Sequence, residues 1–175
     1  MSWPAGQEHH ADVLAAAIVA VLITASAAGW ILKLRAANGQ PNATIDNLNA
    51  RVGSWWIIAA AFGLAAWAGR AGVIALFAWV SFVALGEFFA GCARSRADRV
   101  VQASCRWIAV PLQYVFVWLD WNALFVVFLP LCAAIVVAAT RAATSPQQAL
   151  RSAAGLLLCG YAIAHIPAIL THVQA

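Results

Sequence analysis

The sequence predicts an all-α integral membrane protein of about six transmembrane helices, with the N-terminus and C-terminus outside. Three observations lead there. The 175 residues are 65% hydrophobic and only 9% charged, whereas a soluble domain carries roughly a quarter charged residues. Mean hydropathy is +0.85, and the apolar residues gather in runs close to the length that crosses a bilayer. The basic residues collect at one set of run ends, which is the pattern of cytoplasmic loops.

The elements follow in order. An outer tail, 1–11, leads into a first apolar run over 12–32, closed by the polar loop "KLRAANGQPNATIDNLNARVGS". The second run covers about 55–69 and the third about 71–90, separated by a tight "GRAG" turn. The basic loop "GCARSRADRVVQASCR" precedes a fourth run over 107–119, and "DWN" turns the chain into a fifth over 123–140. After "RAATSPQQALRS" comes a sixth over 153–171, with a short tail at 172–175. A span takes about 20 apolar residues. The second and fourth runs are therefore expected to thin the bilayer locally, or the fourth to be re-entrant.

Charge decides between those options. With six crossings, Lys33, Arg35, Arg51, Arg94, Arg96, Arg99, Arg106, Arg141 and Arg151 fall on one face and Arg70 alone on the other. A re-entrant fourth run would move Arg141 and Arg151 to the wrong side, so six crossings are favoured. Trp30, Trp55, Trp56 and Trp107 fall at cytoplasmic run ends and Trp67, Trp118 and Trp121 at outer ends, as amphipathic indoles do.

The first run has "ASA" at Ala25–Ala27, but its basic residues follow it rather than precede it. That is the polarity of an anchor with its N-terminus outside, not of a cleaved leader. Ala16, Ala20, Thr24 and Ala28 recur every four residues, which predicts a smooth face for helix contact. The four cysteines, Cys92, Cys105, Cys132 and Cys159, form no CxxC pair and are expected to be reduced, structural thiols.

The polar residues within the runs are the candidate site residues. Glu87 lies near the cytoplasmic end of the third run, and a carboxylate in hydrocarbon costs at least about 2.5 kcal/mol. It reads either as a partner for a cation or as a carboxylate snorkelling to the interface. Arg94 and Arg96, in "ARSRADR", suit a phosphate or an anionic headgroup, or fix topology alone. Gln113 and Tyr114 follow Pro111, where a neighbouring amide could satisfy a carbonyl left by the proline. His165, two residues before Pro167, is expected to donate to a backbone carbonyl. It has no second His at ligand spacing. His9 and His10, beside Glu8 and Asp12, form a weak cluster of metal-binding residue types on the outer terminus. There is no GxSxG, HExxH or Walker loop. The basic residues form no stripe that would suit nucleic acid.

"NARVGSWW", "LFAWVSFVALGEFF", "PLQYVFVWLDWNALFVVFLP" and "GLLLCGYAIAHIPAIL" follow one another with short spacings. Together they resemble the N-terminal half of phosphatidate cytidylyltransferases, the CDP-diacylglycerol synthases, over about residues 49–170. The resemblance implies a multi-pass enzyme of the bacterial inner membrane in phospholipid biosynthesis. Such a nucleotidyltransferase joins CTP to phosphatidate with Mg or another divalent metal. Glu87, Arg94, Arg96, Gln113, Tyr114 and His165 are the candidate substrate-binding residues, and the resemblance implies for Glu87 a position at the edge of a lipid-and-nucleotide site.

Two departures shape the expectation. The family usually reads "ALREF" where this chain has Gly86 before Glu87. Its Ser-Pro-x-Lys-Thr segment belongs to a C-terminal half that would follow "THVQA". The expectation is a truncated or split form that is inactive alone, has no catalytic residue or cofactor of its own, and needs a separate catalytic half before CTP is used. Its partners would be membrane lipids, phosphatidate among them, and another copy of itself or the missing half. The alternative is a non-enzymatic lipid-binding or assembly subunit. A small transporter is the weaker third class, since no pair of broken runs marks a midplane site.

Overall fold

The computed structural model describes residues 7–35, 42–91, 96–140 and 146–172, with side chains described over 12–35, 42–91, 99–138 and 146–170. All the described elements are helical. We number them α1 (Gln7–Arg35), α2 (Ala43–Trp67), α3 (Gly69–Ala90), α4 (96–118), α5 (Asn122–Thr140) and α6 (146–172). Five are long and apolar enough to cross a membrane, and α5 contributes a shorter apolar helix. Large apolar side chains such as Ile57, Leu158 and Ile169 are 60% exposed or more. That surface suits lipid as its solvent, and the protein is a multi-pass membrane protein.

The helices run past the apolar stretches at the basic ends. α2 begins at Ala43, well before residue 55, because Asn42 caps it: its Oδ1 accepts from the Thr44 and Ile45 amides at 3.1 and 3.4 Å. α6 begins at Pro146, whose missing N–H costs nothing in the first turn. Polar residues expected in loops, including Arg51 and Arg151, are therefore helical.

The chain forms two compact units, residues 1–67 and 68–175. In the first, α1 packs on α2 through Leu22, Ala25, Ser26 and Gly29, which are buried or half-buried. The expected contact face is displaced, since Ala16, Ala20, Thr24 and Ala28 are exposed within this unit. Polar fit sets the rotation: Gly29 leaves room for the Asn49 side chain, Trp56 Nε1 donates to Ser26 Oγ at 3.0 Å, and Lys33 pairs with Asp46 at 2.9 Å.

In the second unit α3, α4, α5 and α6 surround one core. Leu85, Val110, Leu129 and Leu156, one from each helix, are at most 1% exposed. α4 and α6 each contain a π-helical stretch, Cys105–Ala109 and Leu156–Ala162. The first has a plain cause. Pro111 cannot donate to the ladder, so the turn before it widens and the Val110 amide bonds to the Cys105 carbonyl five residues back.

"DWN" closes α4 with a Schellman motif. The Trp121 amide reaches the Phe116 carbonyl at 3.0 Å and the Asp120 amide the Val117 carbonyl at 3.4 Å. Asp120 takes the left-handed position, with φ 57°, usually held by glycine and tolerated by aspartate. Cys105, Cys132 and Cys159 are free thiols, and Cys92 lies outside the described residues.

Candidate functional site

The sequence-singled polar residues separate into a buried seam and a helix end. Gln113 and Tyr114 are consecutive on α4, so about 100° of rotation sends them to different neighbours. Tyr114 points to α3, where its hydroxyl donates to the Phe77 carbonyl at 2.9 Å and lies 2.7 Å from Ser81 Oγ. With the phenol proton committed to the carbonyl, Ser81 is the donor in that second bond. Gln113, fully buried, points to α5 and its Nε2 donates to the Phe125 carbonyl at 2.9 Å. The amide does serve a neighbouring helix, but at a carbonyl on α5 rather than one left by Pro111.

His165 joins the same seam. Its ring sits 4.4 Å from Tyr161 and 4.8 Å from Phe125, measured between centroids. Nδ1 lies 2.9 Å from the Tyr161 carbonyl, which fixes the proton on that nitrogen because a carbonyl only accepts. Phe125 thus links Gln113 and His165, through its carbonyl and its ring. The Ser81 and Tyr114 hydroxyls and the His165 Nδ1–H are bonded, so the seam's first role is to orient four helices. Gln113 Oε1 is buried without a partner among the described residues.

Glu87 lies apart from that seam, exposed near the end of α3. Arg94 lies outside the described residues, and for Arg96 only the helical backbone is described. A different basic residue, counted above among those on the cytoplasmic face, reaches the neighbouring position Gly86. Arg106, from the π-helical stretch of α4, lays its guanidinium 4.1 Å above the Phe82 ring and into the notch at Gly86. A Cβ on Gly86 would stand 2.6 to 2.9 Å from the guanidinium carbon and its two terminal nitrogens. Beyond Gln113, Tyr114 and His165, the local sequence holds one further clue to the seam, the lone hydroxyl of Ser81 in an apolar run. It holds none to Arg106, twenty positions from its glycine.

Below that guanidinium, a groove of about 390 Å³ opens between α3 and α4, with an almost wholly apolar lining. At the opposite end of α3, Arg70 Nη2 meets Asp120 at 2.7 Å and the carbonyls of Trp118 and Val117 at 3.0 and 3.1 Å. Glu87 lies roughly 25 Å further along the helix from Arg70, at 1.5 Å per residue.

Residues 49–175 match the family model described as the cytidylyltransferase family. The chain belongs to the cytidylyltransferase family. No curated protein and no solved structure matches it in the same comparisons. The match covers α3 to α6 and most of α2, so both the seam and the Arg106 seat are parts of a family member's membrane body. The divalent metal that such an enzyme implies does not fit the described residues. Glu87 and Asp120 stand at opposite ends of α3, and no cluster of three His, Cys, Asp or Glu occurs among the described residues.

Proposed function

We propose that the chain is the membrane portion of a CTP:phosphatidate cytidylyltransferase, working at the cytoplasmic face of a bacterial inner membrane with both termini outside. The observation that carries the reading is the family match over residues 49–175. In this reaction the lipid phosphate attacks the α-phosphorus of CTP, pyrophosphate leaves, and CDP-diacylglycerol forms. Positioning and neutralisation of phosphate charge lower such a barrier. The described residues offer a cation near the cytoplasmic helix ends, in Arg106, and an apolar surface for lipid. A divalent metal that would neutralise the CTP phosphates needs carboxylates that the described residues do not bring together, so we propose that the 175 residues alone do not turn over.

The test is CDP-diacylglycerol formation from CTP and phosphatidate with Mg²⁺ by the purified chain in nanodiscs. No product is expected alone, and product is expected when the family's Ser-Pro-x-Lys-Thr-bearing half is co-expressed. Turnover by the chain alone would overturn the inactivity. Absence of product in both cases would favour the second reading, a non-enzymatic lipid-binding subunit. The Arg106 seat supports that reading equally, because it requires no nucleotide.

A further inference from the structure

The geometry points to a binding site for one anionic phospholipid of the inner leaflet, its phosphate on Arg106 and an acyl chain in the groove between α3 and α4. This rests on the lipid-handling half of the reading above and adds the residues that would do it.

Four observations meet here. Arg106 donates no hydrogen bond among the described residues, and its Nε is buried and unpartnered. A guanidinium within a membrane body ordinarily pairs with an anion or reaches the interface. Here the side chain is held in place without an anion among the described residues: Phe82 supports its face and Gly86 supplies the space for its fork. A planar fork of donors suits a phosphate oxygen pair.

The groove begins beside this seat. Phe82 is both the ring under the guanidinium and part of the groove wall, which continues along α3 to Trp79, Ala78 and Ala75 and across to Trp107 and Val110. From Phe82 to Ala75 the wall spans roughly 10 Å along the helix. It runs from the cytoplasmic side, assigned by the basic residues, towards the middle of the membrane. A cation at the interface end and an apolar channel descending from it match the order of headgroup and chain in an inner-leaflet lipid. Trp79 and Trp107 are 66% and 67% exposed at the groove, as lipid-facing indoles would be.

A groove between α1 and α2 is lined in part by Arg51. That side chain is exposed and has neither a glycine notch nor a supporting ring among the described contacts. It lacks the fixed geometry that selects a headgroup.

Native mass spectrometry of the full chain, released from phosphatidylcholine nanodiscs containing a minority of phosphatidate, tests the site. The wild type is expected to retain one phosphatidate in preference to the abundant phosphatidylcholine. Arg106→Gln should lower that preference about tenfold, the scale of one charge-assisted contact. Gly86→Ala keeps every charge but occupies the notch, and should lower it several-fold. Ala75→Phe, on an exposed wall position, should weaken retention of long-chain phosphatidate by obstructing the groove. Far-UV dichroism and melting of each variant confirm that the fold persists.

Equal retention of both lipids by the wild type would mean annular lipid only and overturn the site. So would an undiminished preference in Arg106→Gln, or displacement of the lipid by inorganic phosphate at matched concentration. Failure of the cytidylyl-transfer assay alone, with this preference intact, would overturn the enzymatic reading and leave the site standing.

Discussion

The two ends of α3 each receive an arginine, and the two are held in opposite ways. Arg70 ends in polar bonds, to the Asp120 carboxylate and to the Val117 and Trp118 carbonyls that close α4. Arg106 ends on an aromatic face and in a glycine notch, with its charge unanswered by any described carboxylate. An arginine such as Arg70, whose Nε is buried without a partner among the described residues just as that of Arg106 is, is structural because the donating capacity of its Nη2 is directed at the protein. One positioned by packing alone keeps that capacity for something else. The difference separates a fastening from a binding group without reference to the family.

The largest expected effect breaks the packing at the Arg106 end. A side chain at Gly155 would meet the Phe88 ring at 2.5 Å and the Phe89 ring at 3.2 Å, and ring atoms within a core cannot move aside as a flexible chain can. Gly155→Val should destabilise the four-helix unit by about 2–3 kcal/mol, read as loss of resistance to SDS-induced unfolding. Smaller and at the other end, Arg70→Ala removes the contacts that fasten α3 to the α4–α5 turn. Because the paired side chains are 37% and 50% exposed, the cost is discounted to about 1 kcal/mol. Phosphatidate retention should be unaffected.

Between the two ends, Tyr114→Phe leaves the Ser81 hydroxyl and the Phe77 carbonyl without their shared partner. It should cost about 0.5–1.5 kcal/mol in the same unfolding assay, since intramembrane hydrogen bonds are individually modest. The smallest effect sharpens the contrast most. Gly86→Ala meets only the far end of a flexible arginine, which can withdraw, so stability should change by less than about 0.5 kcal/mol while lipid preference falls. If Gly86→Ala instead destabilised as Gly155→Val does, the Arg106 seat would be structural packing.

Much of the fold was legible because hydropathy reports burial in lipid directly. All six apolar runs are helices, and the "DWN" turn falls where the chain reverses. What hydropathy cannot report is a polar helix beyond the bilayer. The cap from Asn42 and the start at Pro146 extend α2 and α6 through residues that a transfer scale assigns to loops. Rotation about a helix axis was equally hidden. The repeat of Ala16, Ala20, Thr24 and Ala28 predicted the α1 contact, yet Leu22, Ala25 and Ser26 face α2, because pairs such as Trp56 with Ser26 fix the turn of the helix.

The candidate site was legible by residue type and not by partnership. Gln113, Tyr114 and His165 stood out as polar groups in apolar runs, and His165 donates to a carbonyl as expected. Their grouping around Ser81, Phe77 and Phe125 depends on contacts between helices, which no local spacing encodes. Gly86 stands where the resemblance leads one to expect an arginine. In the folded chain the glycine is what admits Arg106, so a guanidinium reaches the same end of α3 from a different helix.

The phosphatidate preference of Arg106→Gln measured beside that of Arg70→Gln, in the same nanodiscs, is the most direct test of this difference between the two ends. A roughly tenfold loss of preference is expected for Arg106→Gln, with none for Arg70→Gln. Equal loss in both, or loss in neither, would contradict it.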